Sequence, residues 1–318
     1  MARLEIRPFS DEFLDAAGEL LAARHRAHRA VEPLLPPRFE DPAAARTECE
    51  ALLAVDGASG AVALRAGRLV GYLLGVRKSD EIWGANVWVD PAGHAVETAE
   101  DLRDLYGVAA TRWVDEERVR HYAIVPASDS SLAEAWSRLS FGQQHAFGIC
   151  EVPEVSWPEG VRLAEKGDVD ELVELSPLIR EHHARAPVFG FVRPHETLDE
   201  IRAEILEDIP KQEIGDLVVE QTDRIVGAFQ VVPVEHGSVH TGLARPDGAA
   251  LLAWAATRPD VRGSGAGLAL TEAAFAWAGE RGHTTMVTDW RVTNLLASRF
   301  WPARGFRPTF LRLYRHIP

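Results

Sequence analysis

The sequence predicts an α/β protein, an α+β mixed-sheet fold repeated in two similar domains. Three observations carry that prediction. Strand-like apolar runs alternate with helical periodicity along the whole chain. A segment near the middle recurs near the end at a fixed offset. The chain has 318 residues, 46% hydrophobic and 26% charged, which is long for one soluble core and comfortable for two.

The repeat is domain-sized. Arg68-Leu69-Val70-Gly71 and Arg224-Ile225-Val226-Gly227 each sit in an apolar strand pattern, offset by 156. Further on, Asp129 through Trp136 to Phe141 runs in step with Asn294 through Trp301 to Phe306, without a gap, at an offset of 165. Such a period indicates a duplicated domain and not a solenoid. The stretch from Glu151 to Gly160 carries Pro153, Pro158 and Gly160, the composition of a linker. The expected domains are therefore 1–152 and 153–318.

In the second domain, Val161 to Ala164 reads as a short strand. Asp168 to Ala186 reads as helix, with Leu172, Leu175 and Ile179 on one face and Pro177 expected to kink or split it. Thr197 to Asp208 is a second helix. Asp216 to Glu220 and Arg224 to Val232 form a hairpin around Thr222-Asp223. Ala249 to Thr257 is a strand, Ser264 to Glu280 a helix, and Thr284 to Asp289 a strand. Asn294 to Ala303 is a short helix, and Phe306 to His316 a strand suited to closing the sheet. The first domain follows the same plan, with a helix from Thr98 to Val114 preceded by the turn Asp90 to Ala95.

Composition excludes several functions. Net charge is -14, whereas nucleic-acid binding needs a basic face. Cys49 and Cys150 form no CxxC and no Cys/His cluster, so neither zinc nor a disulfide framework is expected. No apolar run approaches the ~20 residues of a membrane span. The start, Met1 to Pro8, lacks the apolar stretch of a signal peptide, and a cytoplasmic setting is the expectation.

The chemistry concentrates after Thr257. An apolar strand ends, Pro259 turns the chain, and Arg262-Gly263-Ser264-Gly265-Ala266-Gly267 opens a long helix. Unpaired N–H groups at a helix start, with the helix dipole behind them, suit a pyrophosphate. Glycine permits positive φ and close approach, and Arg262 adds a cation. The spacing fits neither a Rossmann fingerprint nor a P-loop.

Arg262-x-x-Gly265-x-Gly267 after a strand resembles the acetyl-CoA signature of the GNAT superfamily of N-acetyltransferases. Asn294-x-x-Ala297-x-x-Phe300-Trp301-x-x-x-Gly305-Phe306 resembles the family's second motif. The resemblance covers the second half and implies a splayed mixed sheet, flanked by helices, with acetyl-CoA as co-substrate and no metal. Acetyl-CoA would lie in a V-shaped opening between the strands ending at Thr257 and near Asp289. The resemblance also assigns roles. The backbone of Ala256 and Thr257 would meet the pantetheine and acetyl carbonyl. Arg262, Gly263, Ser264, Gly265, Ala266 and Gly267 would hold the pyrophosphate. Asn294 would bind the pantetheine arm and Phe300 would pack near the thioester. Trp301 departs from the pattern, since the family often places a Tyr acid there and an indole N–H is no useful acid.

Acetyl transfer needs a neutral amine, and a free alkyl amine has a pKa of about 10. Asp289 and His240 are the leading candidates for the base, with His182 and His183 behind them. Arg291 would orient an anionic acceptor group or pair with Asp289. Between Glu196 and Asp216 eight acidic residues face two basic ones, a run that reads first as a solvated helix face.

In the first half the equivalent turn has one glycine, Gly93, and no arginine, and Asp129 stands where Asn294 does. A degenerate copy without productive CoA binding is expected, and a charge change at His94 should do little. The expected activity is acetyl transfer to a primary amine of a small molecule by direct attack in a ternary complex. A non-catalytic acyl-CoA sensor or scaffold is the alternative, and a homodimer is one expected assembly.

Overall fold

Thr222 and Asp223 turn the chain with φ of 54° and 57°, the left-handed pair that a two-residue hairpin requires. The turn joins β9 (Gly215–Gln221) to β10 (Arg224–Pro233), with Arg224 opposite Gln221. The computed structural model describes residues 3–80, 83–190 and 197–318. The described residues form a mixed α/β structure of two compact units. The first unit comprises Met1–Phe147, Thr241–Arg245 and Pro308–Pro318. The second comprises Gly148–His240 and Pro246–Arg307. Chain order and unit membership thus differ at the C-terminus.

In the first unit, β1 (Leu4–Pro8) is followed by α1 (Leu14–Val31), α2 (Pro42–Leu53), β2 (Ala58–Arg65), β3 (Arg68–Asp80) and β4 (Gly84–Val89). Then come β5 (His94–Val96), α3 (Asp101–Asp115), β6 (Arg120–Pro126) and α4 (Ser130–Ser137). The sheet order is β1-β2-β3-β4-β6-β13, with β5 paired to β3 and β13 (Arg307–His316) pairing antiparallel with β6. The last strand therefore pairs within the first unit's sheet. Alternation explains the core. Val87, Val89, Ala123 and Val125 turn one face of the sheet onto Leu102, Leu105 and Trp113 of α3. Each fully buried side chain of this size contributes about 1.5–3 kcal/mol.

The second unit begins within β7 (Gly142–Glu151) and continues through β8 (Val161–Leu163), α5 (Val169–Leu175), α6 (Pro177–His183) and α7 (Leu198–Asp208). After β9 and β10 come β11 (Ala250–Thr257), α8 (Ala266–Glu280), β12 (Thr285–Arg291) and α9 (Ala297–Phe300). Its strands run β12-β11-β10-β9-β8. Pro177 splits the expected first helix into α5 and α6, because proline lacks the N–H that would continue the ladder. Thr197 and Glu200 form a reciprocal capping box that starts α7. Glu196, the first member of the acidic run, lies outside the described residues.

The repeat reappears in packing. Trp136 meets Phe141 edge-on at 4.6 Å in the first unit, and Trp301 meets Phe306 edge-on at 5.5 Å in the second. Asp129 caps α4 by accepting from the Leu132 N–H at 2.9 Å. Asn294 does the same before α9, accepting from Leu296 N–H at 3.1 Å and Ala297 N–H at 3.3 Å. Both residues thus terminate a helix start, whatever else they do.

Candidate functional site

The two units differ where their parallel strands meet. In the second unit, β11 and β12 pair at Ala250↔Met286 and Leu251↔Val287. β11 then carries a bulge: Gln230 faces Trp254 while Val231 faces Leu252, leaving Ala253 as the extra residue. A bulge bends its strand and ends regular pairing. Beyond it β11 stays on β10, with Gly227 opposite Thr257, and no further β11–β12 pair occurs among the described residues. The strands have parted.

Parting exposes one backbone edge of β11. The Arg258 N–H donates to Val226 O at 2.8 Å, toward β10. A side chain at Gly227 would meet Ala256 O at 3.0 Å, so that carbonyl also points to β10. Alternation then turns the N–H and C=O of Ala255 and Thr257 the other way. Thr257 and Ala255 thus turn their backbone polar groups away from β10. Ala256 has its polar backbone groups on β10, and Ala255 takes its place.

A cleft of about 460 Å³ fills this opening. Ala255, Ala256 and Thr257 form one wall, and Val261, Arg262, Gly263, Gly265, Ala266, Gly267 and Leu268 form its end. Gly263 and Gly265 hold φ of +87° and +93°, where a side chain would be strained. The first helical bond of α8 runs from the Ala269 N–H to Gly265 O at 3.0 Å. The N–H groups of Gly265 to Leu268 therefore have no helical acceptor and open at the positive end of the helix dipole. Arg262 is exposed beside them and makes no ion pair among the described residues. Gly267 sits where a Cβ would come within 3.3 Å of the Phe300 ring, which fixes α9 against α8.

Not every expected residue reaches the cleft. Ser264 is exposed, accepts from Gln221 Nε2 at 3.1 Å, and is not on the wall. Asp289 and His240 do not line it either; His240 is buried at 1% exposure. Asn294, Phe300 and Trp301 do line it. So do His182 and His183, brought in by α6. His182 Nε2 lies 3.1 Å from Asn294 Oδ1, and Asn294 Nδ2 lies 3.4 Å from His183 Nε2. For the first contact to be a hydrogen bond, Nε2 of His182 carries the proton and Nδ1 is left as an acceptor. Arg304 escaped the sequence reading. It lines the cleft with its guanidinium 4.0 Å over the Phe300 ring, and its buried Nε has no hydrogen-bond partner among the described residues. No spacing rule singles out an arginine in a turn, so nothing in the sequence signalled it.

Among the described residues the first unit has no such opening. β4 and β6 pair at four consecutive positions, Asn86↔Arg120 through Val89↔Ala123, to the last residue of β4. The following turn is fastened down. Arg24, half-buried in α1, donates to Pro91 O and His94 O. His94 is fully buried, with Nε2 3.0 Å from Ile124 O, and burial and Arg24 push its pKa down to about 3. A charge at position 94 would have to be desolvated here, so the expectation that such a change is harmless does not hold. The thiol of Cys49 is buried, 3.3 Å from Tyr72 Oη, and burial pushes its pKa up to about 11. Neither Cys49 nor Cys150 lines the cleft.

Fold and cleft together define a mixed α/β protein with a glycine-rich helix start at a cleft beside diverging strands. Residues 178–306 match the model of the acetyltransferase (GNAT) family. It is similar to a GCN5-related N-acetyltransferase from Sphaerobacter thermophilus, at 15% identity over 98% of this chain and 95% of that one, TM-score 0.57. It is also similar to a GCN5-related glucosamine N-acetyltransferase region of a fungal multi-domain GH3 β-N-acetylglucosaminidase. That match has 13% identity, 99% and 38% coverage, and TM-score 0.54. A tandem GNAT protein of the clavulanic acid biosynthesis pathway aligns at 15% identity over 99% and 98%, TM-score 0.48. At these identities the likeness is one of fold. No curated protein matches the sequence significantly. Among the described residues, no helix is long and apolar enough to cross a membrane, and no His/Cys/Asp/Glu group could hold a metal ion.

Proposed function

We propose that the chain transfers acetyl from acetyl-CoA to a primary amine of a small molecule, in a ternary complex, using one cofactor site in the second unit. The observation that carries this reading is the parting of β11 from β12 over the Gly263–Leu268 turn. It supplies an open strand edge, four N–H groups without a helical acceptor and Arg262 in one cleft. These residues fit acetyl-CoA as donor: the turn and Arg262 would take its pyrophosphate, and the Ala255 and Thr257 edge its amide-bearing arm. In the first unit the paired strands and the Arg24 clamp fill the equivalent place, which supports a degenerate copy.

The proton route follows from what lines the cleft. The attacking amine must lose a proton, and imidazole is the side chain that accepts one near neutral pH. We assign that role to His182 in preference to Asp289 or His240, because His182 lines the cleft and Asn294 orients it. Trp301 supplies no acid. A thiol leaves as thiolate with a pKa near 8.5, so departure without an acid is feasible. The buried thiols speak against an acyl-cysteine relay.

Trp301 also favours a second reading, a non-catalytic acyl-CoA sensor. It is 6% exposed and packed on Phe229 and Phe306, a structural role at the expected acid position. The test is thiol release from acetyl-CoA across a panel of primary amines. Turnover supports the transferase. Tight CoA binding with no turnover on any amine refutes it in favour of the sensor.

A further inference from the structure

Charge is distributed unevenly over this chain. The sequence carries 48 acidic residues against 34 Lys and Arg, a net charge of -14. The donor cleft inverts that balance. Arg262 and Arg304 line it and, among the described residues, no Asp or Glu does. A concave surface that gathers cations and leaves out carboxylates favours an anionic ligand.

The two arginines are placed differently. Arg262 is exposed beside the N–H groups of the Gly263–Leu268 turn, and that set already suits a pyrophosphate. Arg304 is half-buried and ends the short turn Pro302–Arg304 that follows α9. Its guanidinium lies 4.0 Å over the Phe300 ring. The edge of the same ring comes within 3.3 Å of the place a Gly267 side chain would take, in the first turn of α8. Arg304 therefore stands one aromatic ring away from the pyrophosphate turn, on the α9 side of the cleft.

A guanidinium donates its hydrogen bonds from its edges, so stacking one face on a ring positions it without using its donors. Arg304 makes no ion pair among the described residues, and its buried Nε has no hydrogen-bond partner there. A partly desolvated cation without a counter-charge is unfavourable, and it gains more from an anion than a hydrated one does. The cleft thus holds one cation more than the pyrophosphate turn uses.

CoA carries one anion more than a pyrophosphate. Its ribose 3′-phosphate is a monoester, with a charge of about −1.5 to −2 near neutral pH. We propose that Arg304 receives this 3′-phosphate, and that the cleft thereby distinguishes CoA from dephospho-CoA. Arg304 is then a specificity-determining residue of the donor site. The proposal rests on the acetyl-CoA reading of the cleft given above.

The test is calorimetric titration of the full chain with CoA and with dephospho-CoA, which differ by that phosphate alone. The unaltered chain should bind CoA about tenfold more tightly or better, the scale of one charge-assisted hydrogen bond. Arg304→Gln should lower CoA affinity by the same factor and leave dephospho-CoA affinity unchanged, so that the two ligands bind alike. A purely structural role, acting through Phe300 or α9, would weaken both ligands equally, and the cycle over residue and phosphate separates the two cases. If that variant does not fold, Arg304→Met keeps an apolar stem on the Phe300 ring and should show the same loss of discrimination. Equal weakening of both ligands, or an unaltered ratio in the variant, overturns the proposal and leaves the donor cleft standing. Binding of neither ligand by the unaltered chain overturns the donor reading and the proposal together.

Discussion

The imidazole Nε2 of His182 sits 3.1 Å from the amide Oδ1 of Asn294, across 112 residues of sequence. The same oxygen caps α9 through the N–H groups of Leu296 and Ala297. One asparagine thus ends a helix and holds a histidine at the cleft. This pairing makes His182 testable. His182→Gln keeps a donor for Asn294 but removes the proton acceptor. We expect kcat to fall about 10²-fold with little change in CoA affinity, as for loss of a general base. Unchanged kcat would rule His182 out.

Arg262 is exposed and unpaired among the described residues, so charge reversal should spare the fold. Arg262→Glu should weaken acetyl-CoA binding by roughly 10- to 100-fold, the range expected for losing a charge-assisted hydrogen bond and adding repulsion. Calorimetry and a melting curve separate the two effects. A wild-type affinity for CoA in this variant would refute the pyrophosphate placement.

Gly265 holds φ +93° with open space around its missing side chain. Gly265→Ala therefore tests conformation without steric clash. We expect a loss of roughly 1–2 kcal/mol in stability and weaker CoA binding. A variant as stable as wild type with full CoA affinity would show that the turn tolerates a Cβ.

The Asp216 carboxyl is raised to about 6 from 3.8, mainly by burial. A raised folded-state pKa means the folded protein binds that proton more tightly than the unfolded chain. Its ionisation therefore disfavours folding: the penalty is absent below about pH 4, grows to pH 6, and is full above it. Asp216→Asn should raise the melting temperature at pH 7.5 and not at pH 4. The groups facing Asp216 are Asp208, Glu204, Gln230 and Arg180, with Lys211 behind Asp208. Equal shifts at both pH values would contradict the burial argument.

Calorimetric titration with CoA should give one site per chain, because β4 and β6 stay paired and Arg24 holds the turn after them. His94→Glu should destabilise the fold by several kcal/mol, since it buries a charge against the Ile124 carbonyl. A stoichiometry of two would overturn the degenerate-copy proposal.

Much of this protein is legible along the chain. Hydrophobic period, the Thr222-Asp223 turn, the Pro177 break and the glycines after Val261 are local features. Each acts through backbone geometry within a few residues, so sequence alone located them. The duplication is legible for the same reason, because Trp136-Phe141 and Trp301-Phe306 keep their spacing. Other features depend on where distant segments meet. Ala253 becomes a bulge only against β10, and that bulge decides which of Ala255, Ala256 and Thr257 face the cleft. Asp289 and His240 were plausible by position but do not line the cleft, whereas α6 carries His182 to Asn294. The acidic run of α7 reads as a solvated face in one dimension. Tertiary packing turns Glu204 and Asp208 onto a cavity with Asp216, because a helix shows its neighbours a stripe and only the fold decides which stripe is inside.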